Sequence, residues 1–163
     1  MSAVFYLVRD LSYVCFYLLM WMVDLQYRRN QFTLKEGLNL NTLIFLGALL
    51  LFLGVALGAF GAHALKDKFA EPRYAQNWNT AVQYQMVHAL GLISLGVLSS
   101  DVLLGETSFL MWAGYLMFAG VIFFSGSLYV LSVTGVKKLG AITPIGGVLF
   151  LAAWILVMIE VIS

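Results

Sequence analysis

The sequence predicts an all-α membrane protein: an antiparallel four-helix transmembrane bundle with an additional N-terminal transmembrane or interfacial helix. Three observations carry that prediction. The 163 residues are 62% hydrophobic and 10% charged, where a soluble domain holds roughly 25% charged residues. The mean hydropathy is +0.93. The charges are gathered at 28–36, 66–73, 101–106 and 137–138, and the apolar runs between them reach the roughly 20 residues on which an α-helix crosses a hydrocarbon layer about 30 Å thick. These runs are continuous rather than alternating, which selects helices over a closed barrel. A net charge of +1 offers no basic surface, so nucleic acid is not an expected partner and the lipid bilayer is. Cys15 is the single cysteine, so it closes no internal disulfide and has no companion for a metal site.

Residues 1–38 read as an N-terminal extension with one hydrophobic helix. Its apolar run, Leu11 to Val23, is shorter than a span. Extending it backward to Ala3 brings in Arg9 and Asp10, and extending it forward brings in Asp24. The region is rich in aromatic residues, which suit the headgroup level. A spanning helix and an interfacial helix both remain open for this segment. No basic n-region or small-x-small site marks a cleaved signal peptide.

Residues 39–163 read as the four-helix transmembrane domain. The first span, Asn39 to Leu65, has Asn41 or Thr42 available as a cap. Gly47, Gly54, Gly58 and Gly61 recur along one side, a small-residue stripe that lets helix backbones approach closely in lipid. Lys66 to Asn77 is a charged linker in which Pro72 suits a first helical position. The second span runs to about Ser99, and an acidic loop follows. The third runs from Ser108 to about Val133 and includes Gly126 among its small residues. After TGVKK the fourth covers Leu139 to Ile162, with Pro144 in its first turn, where a missing N–H does little harm. Gly147 pairs with Thr143 at small-xxx-small spacing. The positive-inside rule counts five basic residues on the side of loops 66–73 and 137–138 against three at 28–35, so those two loops are expected on the cytoplasmic or matrix face.

Four segments in order, LGAFGAHALK (57–66), WNTAVQYQMVHALG (78–91), FSGSLYVLSVTG (124–135) and LGAITPIGG (139–147), resemble the domain-of-unknown-function 423 family, whose eukaryotic members are transmembrane protein 256. The resemblance covers about residues 40–160 and implies a small four-helix integral membrane protein of the bacterial plasma membrane or the mitochondrial inner membrane. It implies no mechanism, cofactor or catalytic residue. Residues 1–38 extend beyond the family's usual start.

The polar intramembrane candidates are Tyr84, Gln85, His88 and His63. Ten residues beyond Trp78, at 1.5 Å each, His88 lies roughly 15 Å deep, near the bilayer midplane. Tyr84, Gln85 and His88 share one helical arc, and Gln83 points elsewhere. The functional reading is a proton-relay or ligand-binding face. The bland reading, which weighs more, is hydrogen bonding between facing helices at about 0.6 kcal/mol each, because no intramembrane carboxylate completes a relay. His88 is expected inside the bundle, facing the first or third span, with a partner within about 3.2 Å of a ring nitrogen. His63 lies about 5 Å below the surface, too shallow to share an iron with His88, and neither zinc nor any other cofactor is expected. Gly54, Gly58, Gly61, Gly126 and Gly147 are the expected helix-packing positions. The leading functional expectation is a non-enzymatic structural or accessory subunit of a larger membrane complex, with a respiratory complex as a reasonable host, in contact with other subunits or with copies of itself. The alternative is a small oligomeric transporter or channel with a polar path around His88, and a third reading is an enzyme acting on lipid or quinone.

Overall fold

The computed structural model describes residues 40–162, all of them helix, turn or loop. Four helices, α1 (Leu40–His63), α2 (Pro72–Leu98), α3 (Ser108–Thr134) and α4 (Thr143–Ile162), are each long and apolar enough to cross a membrane. A short 3₁₀ turn, Lys137–Ala141, leads into α4. The N-terminal extension lies outside the described residues, and so does its choice between spanning and interfacial helix.

Local chemistry sets the helix ends. Pro72 stands at the start of α2, after Glu71 in extended conformation, where proline's fixed φ is already helical and no N–H is lost. The Thr107 hydroxyl accepts from the Leu110 N–H at 3.3 Å and caps α3. Gly135 ends α3 at φ 69°, a left-handed conformation that an L side chain would strain. Its N–H donates back to the Leu131 carbonyl at 2.9 Å. Asn41 and Thr42 do not cap α1 as expected, because Leu40 is already helical.

α2 and α3 form the middle of the bundle and α1 and α4 its flanks. In the apolar windows of α2 and α3 44% of residues are buried, against 17% in those of α1 and α4. The main core joins Leu43 of α1, Leu92 and Leu95 of α2, Met117 of α3 and Phe150 of α4. A second cluster gathers Tyr74, Ala81, Leu128 and Leu131, with Phe69 and Leu139 packed against it. Phe69 and Leu139 belong to the α1–α2 and α3–α4 connections, so both connections lie at one end.

Glycine decides where backbones meet. A Cβ at Gly47 would stand 2.6 Å from the Ala89 carbonyl oxygen and 3.0 Å from the Ile93 nitrogen, and one at Gly61 would overlap the Trp78 indole. The α1–α2 contact therefore follows Gly47, Gly54 and Gly61, seven residues apart, all three buried. Gly58 stands aside from this seam: a Cβ there would make only a 3.4 Å contact with Val82.

Between α3 and α4 the close approach belongs to Gly146, whose added Cβ would run into the backbone of Phe124. Two expected packing positions are corrected here. A Cβ at Gly126 would meet nothing within 4 Å, and one at Gly147 would touch the Phe124 ring only at 3.9 Å. The reason is a π-helical turn, Ile122–Gly126, within α3. Such a turn carries one extra residue and shifts the helix face, placing Phe124 and Ser125 against neighbouring helices and leaving Gly126 in open space.

Candidate functional site

The polar residues of the spans divide into two groups. In the first, the buried Gln85 of α2 bridges three helices. Its amide nitrogen donates to the Leu50 carbonyl of α1 at 2.8 Å, and its amide oxygen accepts from the Tyr129 hydroxyl of α3 at 2.9 Å. One turn-pair away along the same seam, the Trp78 indole N–H donates to the Leu57 carbonyl at 3.0 Å. Each acceptor lies four residues before a seam glycine, Leu50 before Gly54 and Leu57 before Gly61. A helical carbonyl is normally screened by the side chain four residues on. Glycine there leaves it open to a donor from the facing helix while its own ladder bond persists. In α3 the Ser125 hydroxyl donates across to the Ala81 carbonyl at 2.8 Å, not to its own helix. Ser127 shares a 2.8 Å hydrogen bond with Thr143 of α4.

These bonds set a modest energetic scale. Interhelical hydrogen bonds in membranes contribute about 0.6 kcal/mol each, so Gln85→Leu is expected to lower bundle stability by about 1–2 kcal/mol. Part of that loss is the Tyr129 hydroxyl left unpaired. Adding Tyr129→Phe should therefore recover some stability in an SDS unfolding titration. A double variant whose losses merely sum would show that the two groups do not act as a pair.

The second group surrounds His88. The residue is 5% exposed, and Nδ1 lies 2.8 Å from the Tyr84 carbonyl oxygen of its own helix. A carbonyl only accepts, so Nδ1 carries the proton, and the neutral ring keeps Nε2 as an acceptor. Contrary to expectation, the ring faces α4 rather than α1 or α3. It stacks on Phe150 with centroids 3.4 Å apart and planes at 13°, and Trp154 lies 6.2 Å away. Tyr84, 43% exposed, stacks on Phe124 at 4.4 Å. Together these residues line an open groove of about 420 Å³, which Gly147 and Pro144 of α4 complete.

The arc of Tyr84, Gln85 and His88 thus splits. Gln85 turns toward α1 and α3, His88 turns toward α4, and Tyr84 packs on Phe124 of α3 beside the α4 groove. His63, at the exposed end of α1, joins neither group. Among the described residues, no three histidine, cysteine or acidic side chains stand close enough to hold a metal. Sequence reading did not anticipate Tyr129, the Trp78 indole bond or the α4 aromatic residues as parts of these groups. One signal was available for the first: Trp78 and Gln85 are seven residues apart, the same interval as the seam glycines.

Compared with known proteins, residues 57–147 match the family described as "Protein of unknown function (DUF423)". A UPF0382 membrane protein of Staphylococcus haemolyticus is 51% identical over 118 residues, 72% of this chain and 92% of that protein. UPF0382 membrane protein YwdK of Bacillus subtilis is 50% identical over 120 residues, 74% of this chain and 95% of its own length. No solved structure matches.

Proposed function

The chain belongs to the DUF423 family of membrane proteins, and from that premise we propose that it is a non-catalytic, structural or accessory subunit of a larger membrane assembly, with a respiratory complex as a reasonable host. The observation that carries this reading is the use of Gln85. This buried amide is bonded at both ends, to Leu50 and to Tyr129. Its amide nitrogen and its oxygen are each engaged with a neighbouring helix, a use that ties helices together. The outward faces of α1 and α4 carry large apolar side chains, among them Phe45, Phe52, Val148 and Leu151, which suit lipid or neighbouring subunits equally well.

Native gels of gently solubilised membranes test the proposal, with the purified chain in proteoliposomes as the second arm. The expected result is migration within an assembly several times larger than one chain, and flux no greater than in protein-free vesicles. Flux that depends on His88 in vesicles holding this chain alone would overturn the subunit reading in favour of a channel.

The proposed topology places the loops at 64–71 and 135–142 on the cytoplasmic or matrix face. Among the described residues, all five basic side chains (Lys66, Lys68, Arg73, Lys137 and Lys138) are at that end, while Asp101, Glu106 and Glu160 are at the other. Positive charge near span ends is retained on the cytoplasmic side. In a Cys15→Ser background, cysteines at positions 68 and 137 should resist an impermeant thiol reagent until the membrane is opened. Labelling of either from outside intact cells would reverse the orientation.

A further inference from the structure

The groove between α2, the π turn of α3 and α4 has two features that lipid packing does not require. The first is an acceptor near the middle of a span. Nδ1 of His88 is committed to the Tyr84 carbonyl, and among the described residues no group pairs with Nε2. An acceptor left unpaired in an apolar setting is costly, and acyl chains carry no donor that could satisfy it. The second feature is ring alignment. The planes of Tyr84 and His88 differ by 17°, those of His88 and Phe150 by 13°, and those of Tyr84 and Phe150 by 29°. The His88 and Phe150 rings cover each other and are nearly buried, so the ring face left for a flat aromatic guest in offset stacking is that of Tyr84, beside them.

Size and shape agree. The groove of about 420 Å³ falls within the usual range of small-molecule sites, roughly 300–1,000 Å³. It follows α4 from Pro144 to Trp154, ten residues or about 15 Å at the helical rise, enough for one ring with a short apolar tail. Pro144 stands at the start of α4, close to Lys137 and Lys138, so the groove runs from the end of the bundle into its apolar middle. Gly147 keeps it open, since a side chain there would project into the groove with only a 3.9 Å contact to Phe124.

We propose that this groove binds a prenylated hydroquinone, its ring lying against the exposed Tyr84 at the edge of the His88–Phe150 stack and one hydroxyl donating to His88 Nε2. A membrane-soluble molecule of this class supplies the planar ring, the donor and the apolar tail together. The site asks nothing of Gln85 and holds whether or not the chain is a subunit of a larger assembly.

Binding of radiolabelled decyl-hydroquinone to the full chain in lipid nanodiscs tests this, beside the same compound with both hydroxyls methylated. Saturable binding of one molecule per chain is expected, with the ether at least tenfold weaker because it cannot donate. Gly147→Leu should reduce hydroquinone affinity at least tenfold with the melting temperature unchanged. His88→Leu should do the same by removing the acceptor, and His88→Gln, whose side-chain oxygen can accept, should keep part of the affinity. Equal binding of hydroquinone and ether, or full binding by Gly147→Leu, would overturn the proposal. So would a groove in which native mass spectrometry finds only phospholipid that hydroquinone does not displace. Should His88→Leu fail to fold, the ether comparison and Gly147→Leu still decide the matter.

Discussion

Gly146→Ala is expected to destabilise the bundle by about 3 kcal/mol, the upper part of the usual range for overpacking, while Gly147→Ala changes stability by less than about 0.5 kcal/mol. The two glycines are neighbours on α4, yet their surroundings differ in kind. A Cβ at Gly146 would stand 2.8 Å from the Phe124 Cα and 2.7 Å from its Cβ, with the Phe124 nitrogen nearer still. Backbone atoms cannot rotate away, so α3 and α4 must separate. Separation would also stretch the Ser127–Thr143 hydrogen bond of 2.8 Å. At Gly147 an added methyl makes ordinary contact with a ring. Thermal unfolding in detergent, followed by circular dichroism, compares the pair directly. Equal stability of the two variants would show that α3 and α4 do not meet through Gly146.

Gly47→Ala is expected to cost a similar amount, about 2–3 kcal/mol, and Gly58→Ala much less. The added methyl at position 47 meets the Ala89 carbonyl and the Ile93 nitrogen, both backbone. At position 58 it meets one methyl of Val82 at 3.4 Å. Gly61→Ala should fall between them, because the Trp78 side chain can move aside but then gives up its 3.0 Å bond to the Leu57 carbonyl. An SDS unfolding series on the three variants orders them. If Gly58→Ala proved the most damaging, the GxxxG pair at Gly54 and Gly58 would carry the contact instead of the seven-residue seam.

These outcomes show which features a sequence discloses. The four spans were legible because hydropathy and charge clustering are properties of single residues, summed over a window. The burial of Gln85 and His88 was legible for a related reason: a polar group in an apolar helix has to find a partner inside the bundle. Which glycine touches a neighbour was not legible. Gly54 and Gly58 look equivalent in the sequence, and only the crossing geometry separates them. The π turn was hidden because one extra residue in a helix leaves hydropathy unchanged while turning every later side chain. Its effect on Phe124 and Gly126 explains why Gly126 was expected in a contact that Gly146 makes. The groove was hidden too, since Phe150 and Trp154 are the residues one would also place against lipid.

The paired bonds between α1 and α2 act as a vernier. Leu50 meets Gln85 and Leu57 meets Trp78, so seven residues along one helix are matched by seven along the other, in opposite directions. A repeat of seven falls slightly short of two turns, which winds the two helices about each other with a left-handed pitch. It also quantises their alignment. A slide of one turn, about 5.4 Å, would leave at least one donor facing a covered carbonyl, since of the carbonyls one turn away only that of Gly54 has a glycine, Gly58, four residues on. A slide of a whole repeat toward the start of α1, about 10.5 Å at the helical rise, would bring both donors back over open carbonyls, those of Leu43 before Gly47 and Leu50 before Gly54. The hairpin of α1 and α2 therefore keeps both bonds only in steps of a whole repeat, and a helix misplaced by one turn loses at least one of them.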